Sequence, residues 1–282
     1  MRIQSEHNTL DGRGVYFSGL LPERFSGFYS EISGALDACQ IEVLLLPHTK
    51  DIWCRDYMPV RIGKGEFVQF KYEPEYLRSK KLRRTKTNPA TAYEAIGLNP
   101  IPSNIILDGG NVVLYRNKAI MTRQILKDNP NYSCKALEST LKGLLKIDDL
   151  IIIPWEPDDP FCHADGSVRF IHENLVVING RHKTHPGYDA LLRAILKEHG
   201  LSWIELPYSM DNDKRHPDSA VGNYVNFLII GSTVLVPLYK GHEPHNQEAI
   251  EKLSEWFKKV VPIESTAIAK EGGVLNCVSW VK

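Results

Sequence analysis

Four short stretches of the chain carry side chains able to do chemistry. Asp51-Ile-Trp-Cys-Arg-Asp-Tyr-Met-Pro59 sets Trp53, Arg55 and Asp56 in a loop that Pro59 ends. Leu107-Asp-Gly-Gly-Asn111 puts Asp108 and Asn111 on either side of paired glycines, which allow a sharp backbone turn. Asp158-Asp-Pro-Phe-Cys-His-Ala-Asp165 holds His163 and Asp165 two apart, a spacing that shares one face in extended chain. Glu271-Gly-Gly-Val-Leu-Asn-Cys-Val-Ser279 brings Cys277 just after a glycine pair, close to the last residue. Taken singly each has a plainer explanation: a turn, a locally bonded histidine, half of an ion pair, a buried cysteine. Together they supply a thiol, an imidazole and three carboxylates in turn-rich segments at strand ends. That is the inventory for attack by a thiol on a cationic substrate.

Other chemistries fit less well. His242-Glu-Pro-His245 and His182-Lys-Thr-His185 space their histidines three apart rather than four, and Pro244 argues against a helix there, so a zinc site is not expected. Phosphate-loop, serine-hydrolase and dinucleotide fingerprints are absent. Lys plus Arg and Asp plus Glu both number 34, which gives no overall attraction to nucleic acid or to an anionic membrane. The five cysteines are dispersed, odd in number and without C-x-x-C spacing, as expected of a cytoplasmic, reducing compartment. The first fourteen residues hold Arg2, Glu6, His7, Asp11 and Arg13 and no apolar run, so no signal peptide is expected. The longest apolar runs, such as Val43–Pro47 and Leu150–Pro154, suit buried strands and are far too short for a bilayer.

Strand and helix signals alternate along the chain. Strands are expected at Ile41–Pro47, Phe67–Tyr72, Leu150–Pro154, Leu175–Asn179, Trp203–Leu206, Tyr224–Ile230 and Thr233–Pro237, with a hairpin of Asn111–Tyr115 and Lys118–Thr122 around Arg116-Asn117. Pro22 suits the first turn of a helix whose apolar face is Phe25, Phe28, Tyr29, Ile32 and Leu36. Ser133 is a candidate N-cap for a helix carrying Leu137, Leu141, Leu144 and Leu145. A third helix bears Tyr188, Leu191, Leu192, Ile195 and Leu196 and stops at Gly200; a fourth bears Ile250, Leu253, Trp256 and Phe257. A weaker helix is expected near Pro89–Ile96. Helices thus recur roughly every fifty residues among short strands, which suggests repeated strand-rich units each with one helix. Residues 78–86 hold six basic residues in nine, read as a solvated loop.

The four chemical stretches, in this order, resemble the agmatine deiminase and bacterial-type peptidyl-arginine deiminase family of guanidine-modifying enzymes. W-x-R-D-x-x-P is matched from Trp53 to Pro59, E/D-G-G by Asp108-Gly109-Gly110, H-x-D by His163-Ala-Asp165, and G-G-x-x-x-C by Gly272 to Cys277. Phe70-Lys-Tyr-Glu-Pro-Glu-Tyr-Leu77, Thr122-Arg-Gln-Ile-Leu and Tyr224-Val-Asn-Phe227 add to the match, which runs from about residue 40 to the end. The resemblance implies an α/β fold, a pseudo-fivefold α/β propeller (the pentein fold), in one catalytic domain over residues 1–282. It implies Cys277 as nucleophile, His163 as general acid and base, and Asp108 as the group that orients His163. Asp56 and Asp165 would grip the guanidinium, with Trp53 and Asn111 completing the substrate site. No metal or cofactor is implied, and the partner expected is a small cationic guanidine; a homo-oligomer is compatible.

The residue types suit that chemistry. A guanidinium is planar and always charged, and paired carboxylates match its N–H fork. A soft thiolate must add to its carbon, and an acid must protonate the departing nitrogen. Agmatine is the expected substrate, with arginine or peptidyl-arginine as alternatives; amidino transfer to an amine and a non-catalytic binding role are the competing readings. Two departures stand out. Asn276 precedes the cysteine where agmatine deiminases carry histidine, and Val15-Tyr-Phe-Ser-Gly-Leu-Leu-Pro22 lacks the usual Trp-Pro, so the first unit reads as abbreviated.

Overall fold

Strands of three to six residues cannot bury themselves, and parallel neighbours need a long crossover between them. The chain meets both constraints by repeating one arrangement: two antiparallel strands, a helical crossover, then a third strand parallel to the second. The computed structural model describes residues 14–180, 185–209 and 214–282. The expectations for the first thirteen residues and for His182 lie outside them.

The first unit runs β1 (Gly14–Ser18), α1 (Leu21–Arg24), α2 (Ser26–Asp37) and β2 (Glu42–Leu46). The second opens with a helical turn, α3 (Cys54–Tyr57), and continues through β3 (Val60–Gly63), β4 (Glu66–Lys71), α4 (Pro89–Ala95) and β5 (Ile101–Ile106). The third is β6 (Val113–Tyr115), β7 (Lys118–Thr122), α5 (Gln124–Asp128), α6 (Cys134–Leu145) and β8 (Asp149–Ile153). The fourth is β9 (Val168–His172), β10 (Leu175–Asn179), α7 (Pro186–Glu198) and β11 (Ser202–Leu206). The fifth is β12 (Leu228–Ile230), β13 (Thr233–Leu238), α8 (Glu243–Ser254) and β14 (Lys259–Glu264), followed by α9 (Thr266–Ala269) and β15 (Ser279–Val281).

The result is a mixed α/β fold of five three-stranded sheets. Every sheet has the same pattern, with its middle strand antiparallel to one neighbour and parallel to the other. The first unit, which reads as abbreviated in sequence, takes its antiparallel strand from the other end of the chain. Val15, Tyr16 and Phe17 of β1 pair with Val281, Trp280 and Ser279 of β15. That pairing sets Cys277 two residues ahead of a strand locked into the N-terminal sheet.

Most local expectations hold, with informative exceptions. Tyr115 pairs with Lys118 across the Arg116-Asn117 turn, where Arg116 has φ 52°. Ser133 Oγ accepts from the Ala136 amide and caps α6, while Gly200 (φ +67°) follows the end of α7. The helix expected from Pro22 is two, because Phe25 leaves helical geometry at φ −136°, ψ 56°. Pro244 does not oppose helix: it lies in the first turn of α8, where no amide donor is required. The strand expected over Tyr224–Ile230 is regular only in its last three residues, and the preceding stretch belongs to the site described below. Helices α2, α6, α7 and α8 bury Ile32, Leu141, Leu192 and Leu253 against the sheets. Among the described residues no helix is long and apolar enough to cross a membrane.

Candidate active site

The segment just ahead of the first strand of each unit carries the polar residues. Asp56 lies in α3 before β3; Asp108 and Asn111 flank the turn before β6; His163 and Asp165 flank the turn before β9. Asn226 precedes β12, and Cys277 precedes β15. Five sequence-distant segments therefore arrive through one recurrent position in the repeat.

Turns, not extended chain, aim these side chains. His163 is extended (φ −87°, ψ 143°), but residues Ala164–Gly166 form a 3-10 turn, so His163 and Asp165 face different partners. The His163 ring lies between two carboxylates: Nε2 is 3.2 Å from Asp108 Oδ2 and Nδ1 is 3.5 Å from Asp56 Oδ1. Asp165 Oδ2 accepts from Asn276 Nδ2 at 2.5 Å and is 3.9 Å from Cys277 Sγ. Asn226 Nδ2 donates to Cys277 Sγ at 3.2 Å, while its Oδ1 accepts from the Asn276 and Cys277 amides at 3.1 and 3.3 Å. His163, Asp165, Asn226 and Cys277 line one cleft.

The glycines are required by this closeness. A Cβ on Gly110 would lie 2.6 Å from both Asp56 Oδ1 and His163 Nδ1, and the Gly110 amide donates to that same Asp56 oxygen. A Cβ on Gly273 would lie 2.7 Å from the Trp53 ring and 2.9 Å from Cys277 Cβ, so Trp53 packs directly over the cysteine-bearing turn. Asp51 steadies Trp53 by accepting from its amide at 3.0 Å. Tyr76 and Phe161 meet edge to face, and each ring centroid is 6.4 Å from that of His163.

Electrostatics follow from three carboxylates crowded around one imidazole. Burial alone would depress the His163 pKa, but the Asp56 charge, then the Asp108 hydrogen bond and charge, outweigh it and push it up to about 10. Asp56 is pushed up to about 8 by burial, with Asp108 and Asp165 adding to the rise and His163 opposing it. The Cys277 thiol is held well above its ordinary value by burial and by the Asp165 and Asp56 charges, while the Val274 backbone and Asn226 favour the thiolate. Asp108 Oδ1 is buried with no hydrogen-bond partner among the described residues. A buried acceptor left open beside an excess of carboxylates suits a cation with N–H donors.

The sequence of the Porphyromonas-type peptidyl-arginine deiminase family matches residues 27–281. The chain belongs to that family. A Streptococcus mutans protein named "Putative agmatine deiminase" is 24% identical over 212 residues, covering 62% of this chain and 56% of the relative, so the match spans little more than half of that protein's length. A C. jejuni agmatine deiminase structure superposes with TM-score 0.75 at 18% identity, covering 96% of this chain and 94% of that one. A Pseudomonas aeruginosa dimethylarginine dimethylaminohydrolase structure gives TM-score 0.53 at 12% identity, covering 95% and 98%. The fold is thus one shared with agmatine deiminase and dimethylarginine dimethylaminohydrolase structures, and the family is named for peptidyl-arginine deiminases.

The family motifs account for most of the cluster. Six of the seven residues marked in sequence come together around the cleft: Cys277, His163, Asp108, Asp56, Asp165 and Trp53. Asn111 does not; its Oδ1 accepts from the Thr122 amide at 2.9 Å and ties the turn to β7. Asn226 was not singled out as a site residue. The signal for it was its place in Tyr224-Val-Asn-Phe227 just before β12, the position every other site residue occupies in its own unit. Asn276, the departure from the histidine pattern, fills its position as a donor to Asp165. Cys54 is the wrong thiol for chemistry: it is fully buried and donates to the Val278 carbonyl at 2.9 Å.

Proposed function

We propose that the protein hydrolyses a small guanidine bearing a distal amine, agmatine being the simplest case, to a ureido product and ammonia through a covalent intermediate on Cys277. The observation that carries this reading is a cleft lined by His163, Asp165 and Cys277, with Asp108 and Asp56 at 3.2 and 3.5 Å from the His163 ring and an open buried acceptor on Asp108. We read the five sheets as a closed pseudo-fivefold propeller. In support, the first strand of every sheet contributes to one central cavity.

The residues have separable roles. Asp56 and Asp165 hold the guanidinium N–H groups, and Trp53 covers the planar head. The cation relieves the repulsion that raises Asp56 and Cys277, so the thiol becomes easier to ionise once substrate is bound. Its proton passes to solvent water, and sulfur adds to the guanidinium carbon. His163, held protonated between Asp56 and Asp108, gives its proton to one amino nitrogen, and the C–N bond breaks to release ammonia. The neutral imidazole then takes a proton from water as the hydroxyl adds to the thiouronium carbon. Collapse breaks the C–S bond, the hydroxyl proton passes to the departing sulfur to restore the thiol, and a urea is left, whose neutrality no longer offsets the carboxylates.

The mouth supports an amine at the far end of the substrate. Its described lining includes the exposed Asp218, Asp158 at 3.3 Å from His185, and Asp159, which accepts from the Phe161 and His163 amides, and no lysine or arginine. An arginine α-carboxylate would sit against like charge there, whereas the amine of agmatine would not. The test is product analysis with agmatine, arginine and an arginyl peptide, with an amine acceptor present. Ureido product and ammonia from agmatine support the reading; a guanidinylated acceptor without ammonia would replace it with amidino transfer. Asp218→Asn is expected to raise KM for agmatine by about fivefold, one exposed charge contact, with kcat little changed.

A further inference from the structure

The two carboxylates assigned to the guanidinium are steadied differently. Asp56 Oδ1 accepts from a backbone amide, that of Gly110, at 3.1 Å. Asp165 Oδ2 accepts from a side chain, Nδ2 of Asn276, at 2.5 Å. Among the described residues Asn276 Nδ2 is the one nitrogen donor on the Asp165 carboxylate. Asp165 is 2% exposed and Asn276 4%, so water competes little for the bond. Asp165 also borders both the cleft and the larger central cavity, of about 470 Å³. With open space on two sides, packing does not fix its rotation, and a donor must.

Asn276 is itself built into place. Its backbone amide donates to Asn226 O at 3.2 Å and to Asn226 Oδ1 at 3.1 Å. Its carbonyl accepts from Arg55 Nε at 3.3 Å and from the Ser279 amide at 3.2 Å. The side chain thus leaves a backbone held on both sides, which aims Nδ2 at a fixed point. The Asp165 oxygen found there is also the one 3.9 Å from Cys277 Sγ. Its bond to Asn276 draws part of the carboxylate charge away from the sulfur. Asp56, His163 and Arg169 face the Asp165–Cys277 pair, with Arg55 beside Arg169.

We propose that Asn276 is the positioning residue for Asp165: it pins Oδ2, turns the other oxygen toward the substrate guanidinium, and keeps that grip independent of pH because an amide does not titrate. A histidine at this position would donate from a ring that changes its proton count near neutrality. The inference rests on the deiminase reading above and adds to it the group that sets how Asp165 meets substrate.

The test is the isosteric Asn276→Asp. Residue 276 then donates only as a carboxylic acid, and two carboxyls fixed side by side share one proton. As pH rises that proton leaves, like charges meet, and the grip fails. kcat/KM for agmatine should fall at least about tenfold at the wild-type optimum, the loss carried by KM, and the alkaline limb should move to lower pH. Asn276→Ala serves as the second variant should the first fail to fold. It keeps no donor at any pH, so KM should rise about tenfold. Its acid limb should move upward, since the Asp165 charge that holds the Cys277 thiol up is no longer offset. Capture is read without turnover by calorimetry with agmatine in a Cys277→Ala background, where adding Asn276→Ala should weaken binding about tenfold. Wild-type protein that releases no ammonia from agmatine contradicts the deiminase reading itself. With wild-type turnover intact, unchanged affinity and unmoved limbs in a folded Asn276 variant would overturn the role of Asn276. A fall in kcat alone would make Asn276 a brace for the Cys277 turn and would overturn it as well.

Discussion

Two chambers meet at Asp165, and they differ in size and in the charge of their lining. The cleft in front gathers Asp56, Asp108 and Asp165 about one imidazole and one thiol; the cavity behind gathers arginines against strand walls. The front is built from turns, where glycines let backbone come within a Cβ of a side chain. The rear is built from the strands that those turns feed. The same five junctions thus serve both, and at two of them the charge reverses within a few residues: Asp56 then Arg61, Asp165 then Arg169. The reversal puts carboxylates on the cleft side and arginines on the cavity side of the same two segments.

That contrast can be broken in graded steps. Cys277→Ala has the largest expected effect, a loss of at least about 10⁴-fold in kcat, because no other described residue supplies the nucleophile. Substrate binding measured by calorimetry should survive, since the carboxylates remain. Gly110→Ala comes next. A methyl group placed 2.6 Å from both Asp56 Oδ1 and His163 Nδ1 must drive them apart, with an expected fall of about 100-fold in kcat/KM read by steady-state kinetics. Retention of wild-type kinetics would show that the His163–Asp56 approach is not needed.

Asn226→Ala should cost about tenfold to a hundredfold, the scale of a hydrogen bond to a charged group. Since Asn226 favours the thiolate, its loss should also move the acid limb of the profile upward. An unmoved limb would make Asn226 a brace for the turn rather than a partner of the sulfur.

The wild-type profile itself is the gentlest probe. Asp56, raised to about 8, must be ionised to hold a guanidinium, and His163, raised to about 10, must be protonated to release ammonia. Both shifts are upward, so kcat/KM should climb through the first value, fall through the second, and peak on the alkaline side of neutrality. For the stability of the empty fold both groups act in one direction: a group with a raised native pKa contributes stability below its unfolded value and loses it as pH rises through the native one. A peak below pH 7 would contradict these placements.

Much of this was legible in the sequence because local chemistry decides it. The Arg116-Asn117 hairpin, the Ser133 cap and the Gly200 stop are short-range features, and all three are present. The motif residues were legible through their types and order. What escaped was set by contacts between distant segments. Three residues of β15 pair with β1 across the whole chain, and strands so short leave no pattern that names a partner. Asn226 looked like part of a strand because its neighbours are apolar and β-branched. It leaves the strand so that both ends of its amide can serve the Cys277 turn. The resemblance marked Asn111 for the substrate site, yet its oxygen accepts from the Thr122 backbone amide.

The most direct test of the central claim is the mass of the protein caught during turnover. Wild-type enzyme mixed with agmatine and quenched in acid should carry an amidino-type adduct, and peptide mapping should place it on Cys277. Sustained ammonia release with no modification at Cys277, or with the adduct on Cys54 or Cys162, would contradict the account.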